Sequence, residues 1–248
     1  MAARVLVVAG LEPTGKAGLL ADVQAIHSCG GRALACASAL TAQPAGGEVF
    51  VSPASAEALT KQVEACLVDG APGAVKLGML ARPELASALV ERLTRLPVMP
   101  VVVDPVLATS TGAALFSGGS RRAAYREVAR LRPIFTPNLP ELAILTGSEP
   151  AKDDASVLRQ AEHLLAWGAG AVLVKGGHGA GNVVRDLLLD ADGNEEEFDA
   201  PRLSTAARGK GCRLASALAT FLAQGEPLTR AVDRARAFVR AHLQSVPG

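Results

Sequence analysis

The sequence predicts an α/β fold: a central, mostly parallel sheet with helices on both faces and a late β-hairpin at one edge. Three observations predict it. Short apolar runs such as Val5–Ala9, Val98–Val103 and Ala171–Lys175 recur without polar alternation, as strands covered on both faces do. Segments of helical apolar spacing separate them, which is the rhythm of strand–helix–strand units. After the last of these strands the rhythm changes to two extended runs joined at Asp192-Gly193, a hairpin signal.

The elements follow in order. Val5–Ala9 is a buried strand, Gly10–Gly18 a turn-rich loop, and residues 19–28 a helix. Ala33–Leu40 is a second strand ending at Thr41-Ala-Gln43, and Pro44–Gly47 turns the chain. Val49–Val51 reads as a short edge strand and 54–67 as a helix. Ala74–Leu80 is a strand, and the helix over 83–93 starts on a proline whose missing N–H is harmless in a first turn. Val98–Val103 runs into Asp104-Pro105, and Ile134–Thr136 leads to Pro137–Glu141, the start of a short helix. A longer helix spans 155–167, and the strand 171–175 ends in Gly176–Gly179. The hairpin uses 182–190 and 195–199, and helices over 211–224 and 228–243 close the chain.

With 248 residues, no convincing boundary and no internal repeat, residues 1–248 read as one domain. Hydrophobic residues are 49% and charged residues 20%, a globular composition. A net charge of +1 with one Trp and one Tyr argues against a nucleic-acid partner, and no run is long enough for a membrane helix. Cys29, Cys36, Cys66 and Cys212 lack disulfide-framework or zinc spacing, and the start does not read as a signal peptide, so a reducing cytoplasm is expected.

Ligands of open parallel sheets sit beyond the carboxyl ends of the strands. The residues that follow the strands are Glu12, Thr41, Gln43, Met79, Asp104, Asn138, Glu141 and Lys175, and they should converge on one rim. Arg208-Gly-Lys-Gly-Cys-Arg213 adds an anion site, because two glycines ahead of a helix let backbone N–H groups converge at its positive end. Together these parts suit phosphoryl transfer. Asp104 and Glu141 offer oxygen ligands for Mg²⁺, Lys175 reaches nucleotide phosphates, and the Gly209–Cys212 turn holds the transferred group. Cys212, at a helix start beside Lys210 and Arg213, is expected to have a lowered pKa and to act as a base. Each residue also has a plainer use: Asp104 capping a turn, Asn138 and Glu141 capping a helix, Cys212 filling a core.

Seven ordered blocks covering nearly the whole chain resemble the hydroxymethylpyrimidine and phosphomethylpyrimidine kinases of thiamine biosynthesis, which have the ribokinase-like fold. They are Ala9-Gly-Leu-Glu-Pro-Thr-Gly-Lys-Ala-Gly18 with Ala21-Asp22, Ala39-Leu-Thr-Ala-Gln43, Val75-Lys-Leu-Gly-Met-Leu80 and Val102-Val-Asp-Pro-Val106, then Thr136-Pro-Asn-Leu-Pro-Glu141, Val172-Leu-Val-Lys-Gly-Gly-His178 and Gly209-Lys-Gly-Cys212. The resemblance implies that Asp22 and Gln43 bind the edge of the aminopyrimidine, with Met79 and Gly10 on the same substrate side. It implies ATP and Mg²⁺ roles around Asp104, Asn138, Glu141 and Lys175, places Gly209, Lys210, Gly211 and Cys212 at the catalytic turn, and implies a homodimer.

The sequence departs from the family pattern where it would touch phosphate. The usual His-Gly-Thr-Gly-Cys-Thr is Arg208-Gly-Lys-Gly-Cys-Arg213, the segment Thr205–Ala207 lacks the usual Lys-Asn, Thr109-Ser-Thr-Gly112 replaces Ala-Lys-Ser-Gly, and Lys16 replaces a glycine. Besides the kinase, a non-catalytic pyrimidine- or phosphate-binding paralogue and a kinase of another small alcohol, such as pyridoxal, are therefore in view.

Overall fold

The computed structural model describes residues 2–43, 48–109, 112–176, 182–203 and 208–245. The apolar runs become β1 (Arg4–Leu11), β2 (Arg32–Ala42), β3 (Phe50–Pro53), β4 (Ala74–Leu77), β5 (Val101–Val103), β6 (Ile134–Phe135) and β7 (Ala171–Val174), and the hairpin becomes β8 (Val183–Asp190) and β9 (Glu195–Pro201). Between and after them run α1 (Gly18–Ser28), α2 (Ala56–Leu67), α3 (Pro83–Leu93), α4 (Arg121–Val128), α5 (Leu139–Thr146), α6 (Asp154–Leu165), α7 (Lys210–Ala223) and α8 (Leu228–Ser245). The strands form one sheet in the order β3-β2-β1-β4-β5-β6-β7-β8-β9. Pairing is parallel from β2 through β7, while β3 at one edge and β8–β9 at the other are antiparallel.

The two faces follow from the period of two along each strand. In β1, Val5, Val7 and Ala9 pack under α1, α7 and α8 with Leu19, Ile26, Leu218 and Val232. Leu6 and Val8 point the other way, into the layer of α2 to α6 with Leu59, Leu89, Tyr125, Leu142 and Leu164.

Several boundaries differ from expectation for physical reasons. The strand expected over 98–103 begins at Val101: Val98 is fully exposed, and Pro100 has no N–H for the ladder, although its carbonyl accepts from Val75 N at 2.9 Å. β4 stops at Leu77, and Gly78–Leu80 turns away to line the rim. The edge strand lies at Phe50–Pro53 rather than 49–51. Helix α4 was not anticipated, because Arg121, Arg122, Arg126 and Glu127 hide a short apolar stripe of Ala124, Tyr125 and Val128, and the Ser120 hydroxyl caps it by accepting from Ala123 N. The expected turn at Pro44–Gly47, and the segments Gly177–Gly179 and Thr205–Ala207, lie outside the described residues, as do Ser110 and Thr111 of the Thr109–Gly112 stretch. All four cysteines are free thiols, with Cys36 Sγ and Cys66 Sγ 3.7 Å apart.

Candidate active site

The strand ends do bring their polar residues to one rim. At its centre Lys175, just past β7, donates to Asp104 Oδ1 at 2.7 Å and stands 3.8 Å from Glu141 Oε2. Local structure explains each position. Asp104 N continues the ladder to Leu77 O at 2.8 Å, and Lys175 bridges to Asn138 while its N–H reaches Pro137 O at 2.8 Å. Asn138 caps α5 in a reciprocal box: Glu141 N donates to Asn138 Oδ1 and Asn138 N to Glu141 Oε2, both at 2.8 Å. The capping reading of Asn138 and Glu141 is thus satisfied, yet Glu141's carboxylate still faces Lys175.

Burial is the largest influence on these charges. It pushes Glu141 up to about 7, helped by Asp104 and opposed by Lys175. Burial would lower Lys175, but Asp104 and Glu141 outweigh it and hold the ammonium above its ordinary value. A carboxyl whose folded value is raised contributes stability that is full below the ordinary carboxylate range and is lost as pH rises through about 7. The Tm of the unliganded protein should therefore carry a component that declines between about pH 5 and about pH 8, and Glu141→Gln should flatten it. Thermal melts across that range check this; an unchanged slope in the variant would refute it.

The N-terminus of α7 closes on this pair. A Cβ at Gly211 would lie 2.9 Å from Lys175 Nζ and 3.4 Å from Asp104 Oδ1, so only glycine lets the helix start approach so closely. Gly209 is the N-cap at φ 72°, and a Cβ there would lie 2.3 Å from Lys16 O in the first loop. That loop is organised by Glu12, buried, which accepts from Thr14 N at 3.1 Å, Thr14 Oγ1 at 2.7 Å and Lys16 N at 3.2 Å. Lys16 is exposed and Lys210 lies on the exposed side of the turn.

Two expectations for the turn need correction. The Cys212 pKa is not lowered: burial, with the carboxylates of Asp22 and Asp104 nearby, pushes it up to about 12 against Lys76 and the Gly18 N–H. The helix dipole is outweighed because the thiol faces inward, so Cys212 is a thiol at neutral pH. Arg213 does not face a phosphate site. Buried, it donates through Nη1 to Lys16 O at 3.0 Å, Arg208 O at 3.3 Å and Gly209 O at 3.5 Å, and through Nη2 to Gly15 O at 3.4 Å.

On the other side, Gly10, Thr41 and Met79 form a second wall. A Cβ on Gly10 would lie 2.8 Å from Met79 Sδ and 3.5 Å from Thr41 Cγ2, and Ser38 Oγ donates to Met79 O at 2.5 Å. Gln43, half-buried at the end of β2, accepts through Oε1 from Arg208. Asp22, expected at the edge of the aminopyrimidine, is instead fully buried with both oxygens engaged: Oδ2 takes Lys76 Nζ at 2.8 Å and Oδ1 takes Ser216 Oγ at 2.9 Å. Burial pushes Asp22 up, while its charge and those of Cys212 and Asp104 keep Lys76 above its ordinary value despite burial.

Lys76 and Ser216 had no role in the sequence reading. The signal was present: Lys76 interrupts the apolar strand Ala74–Leu77, and Asp22 falls on the buried stripe of Leu19 and Ile26. Opposite charges at two fully buried positions imply a pair. Beside the turn, a groove of about 180 Å³ runs from Lys175, Lys210 and Gly211 between the β8–β9 hairpin and α8, past Leu214 and Val239.

Among the described residues no group of three or more His, Cys, Asp or Glu side chains forms a metal cluster. The two carboxylates Asp104 and Glu141, however, fit Mg²⁺, which takes few protein oxygens and completes its shell with water and phosphate.

Comparison with known proteins agrees with this architecture. The hydroxymethylpyrimidine/phosphomethylpyrimidine kinase of Rhizobium meliloti is 38% identical over 246 residues, 99% of this chain and 92% of that protein. The phosphomethylpyrimidine kinase structure from Clostridium difficile superposes with a TM-score of 0.83 at 30% identity, covering 97% of this chain and 99% of that one. The pyridoxal kinase of Staphylococcus aureus in complex with AMP-PCP and pyridoxal gives 0.86 at 25% identity over 98% and 88%. The ribokinase-like α/β sheet expected from sequence is the fold these kinases share. The family profile described as phosphomethylpyrimidine kinase matches residues 12–247, and the chain belongs to that family.

Proposed function

We propose that this chain transfers the γ-phosphoryl group of ATP to an aminopyrimidine acceptor, the hydroxymethylpyrimidine or its monophosphate, as an enzyme of thiamine biosynthesis. The observation that carries the reading is the Asp104–Lys175 pair pressed against the glycine N-terminus of α7, with Glu141 3.8 Å from the ammonium. Lys175 holds positive charge where nucleotide phosphates pass, and the N–H groups of the Gly209–Cys212 turn stabilise the moving phosphoryl group. Asp104 and Glu141 would hold Mg²⁺, which would supply charge neutralisation at the nucleotide phosphates. The groove beside Lys210 gives the base an apolar wall at Leu214 and Val239.

The acceptor ring lies against Met79 and Gly10, with Gln43 offering both an amide donor and an acceptor to its edge. Asp22, paired with Lys76 and Ser216, lies in the core near the Cys212 thiol. Cys212 is a thiol turned toward Asp22 and Lys76, so it packs behind the turn and is not the base. Leu40 and Phe50 are exposed on one face of the β2–β3 edge, which supports a homodimer through that edge. The free thiols suit a reducing cytoplasm, and among the described residues no helix is long and apolar enough to cross a membrane.

Purified protein with ATP, Mg²⁺ and the pyrimidine or its monophosphate should release ADP at a rate well above a control without acceptor. No difference from that control sinks the proposal. The likeness to pyridoxal kinase favours pyridoxal as a second acceptor to include in the panel; tight pyridoxal phosphorylation with none of the pyrimidine would replace the first reading.

A further inference from the structure

The three cations of the Arg208–Arg213 turn are not equivalent. Arg213 spends its guanidinium on the carbonyls of Gly15, Lys16, Arg208 and Gly209, which ties residue 208 to the first loop and fixes its backbone beside the helix start. Arg208 is held by that clamp, and its own guanidinium reaches Gln43 Oε1, 165 residues away in sequence. Both side chains are half-buried. Among the described residues no carboxylate lies within ion-pair distance of Arg208, and its acceptor is a neutral amide. A guanidinium carries five donors in a planar fork and pairs best with a carboxylate or phosphate, so one amide oxygen leaves most of its capacity unused.

The position matters as much as the charge. Gln43 belongs to the acceptor wall, and Arg208 adjoins the Gly209 turn at the start of α7, so the guanidinium stands between the place for the ring and the place for phosphoryl transfer. We propose that Arg208 is a specificity-determining residue, which makes the site prefer an acceptor that already carries a phosphate monoester over the neutral alcohol. This rests on the phosphoryl-transfer reading above. An alcohol brings no charge for Arg208 and must compete with it for Gln43. A monoester dianion draws the guanidinium onto its own oxygens and releases the Gln43 amide to read the ring edge.

The chemistry balances without a further reactant. A monoester oxygen attacks the γ-phosphorus of ATP, the bond from that phosphorus to the β-phosphate oxygen breaks, and the products are a diphosphate ester and ADP. An ionised phosphate oxygen has no proton to lose, whereas a hydroxymethyl oxygen must shed one.

The test uses the full chain with ATP and Mg²⁺, and 4-amino-5-hydroxymethyl-2-methylpyrimidine or its monophosphate as acceptor. The wild type should favour the monophosphate in kcat/KM by about tenfold or more, the worth of one charge-assisted contact. Arg208→Gln should lower kcat/KM for the monophosphate by about tenfold and raise that for the alcohol, which no longer meets a guanidinium on Gln43, while Arg208→Lys, which keeps the charge but loses the fork, should fall between. Equal use of the two acceptors by the wild type, or an equal loss for both in Arg208→Gln, overturns the inference. Calorimetric binding of each acceptor without ATP separates the two proposals. If neither acceptor is turned over the kinase reading fails, yet tighter binding of the monophosphate that Arg208→Gln abolishes still supports Arg208, and equal binding refutes it.

Discussion

Lys76→Met is expected to destabilise the protein by about 3–5 kcal/mol, because removing one partner of a buried pair strands the other charge. For a chain of this size that lowers Tm by about 10 °C. Lys76 and Asp22 both have no exposed side-chain surface, and the ammonium reaches Oδ2 at 2.8 Å. Without it Asp22 keeps only the Ser216 hydroxyl and must take up a proton to stay buried. The sign of the pH dependence follows. Burial already pushes Asp22 up, and losing Lys76 pushes it further, so the variant's stability is highest in acid and is lost as pH rises through the shifted value. The deficit relative to wild type should widen as pH rises above the ordinary carboxylate range. Asp22→Asn with Lys76→Met should recover most of the loss, since an uncharged pair of similar volume removes the stranded charge. Chemical and thermal unfolding of the three proteins checks this; a single variant within about 1 kcal/mol of wild type would refute the role given to the pair.

The same pair shows what the sequence carried and what it did not. Strand ends and the residues just past them were legible because a doubly covered parallel sheet writes itself as unbroken apolar runs, and Asp104, Asn138 and Lys175 each follow such a run. Helix α5 was legible from Pro140 and the Asn138–Glu141 spacing, a local signal confined to four residues. Direction of side chains was not. Cys212 and Arg213 are neighbours at the start of α7, and reading both as facing the anion site ignored the turn of about 100° between consecutive helical residues. One faces Asp22 and Lys76 in the interior and the other bends back onto the first loop. Which carboxylates surround a thiol depends on contacts between residues far apart in the chain, and no local pattern encodes them. The seven blocks led to the right family because each records a local geometry, whereas the departures at Lys16, Arg208 and Arg213 acquire meaning only from their partners.

Lys175→Met is expected to lower kcat/KM by about 10²–10³-fold, the range seen when a preorganised charge-stabilising donor is lost from a transition state. Lys175 bridges Asp104, at 2.7 Å, and Glu141, at 3.8 Å, so its removal has two consequences that must be told apart. Positive charge disappears from the path of the nucleotide phosphates, and two carboxylates are left facing each other. The second effect is electrostatic and belongs to the resting protein: Glu141, already at about 7 with Lys175 in place, should move higher and steepen the fall of Tm with rising pH. Adding Glu141→Gln to Lys175→Met removes that repulsion. The double variant should regain most of the thermal stability while kcat/KM stays low, because nothing in it replaces the ammonium at the phosphates. Recovery of both together would mean that Lys175 serves only to keep the two carboxylates apart, and the assignment of a phosphate-binding role to it would be wrong. Lys175→Arg adds a further comparison, since a guanidinium beside Gly211, where a Cβ would already lie 2.9 Å from Nζ, cannot keep the same approach of α7. That variant should retain the charge, give up part of the stability as α7 is displaced, and lose much of the rate, as expected if position and not charge alone makes the residue work.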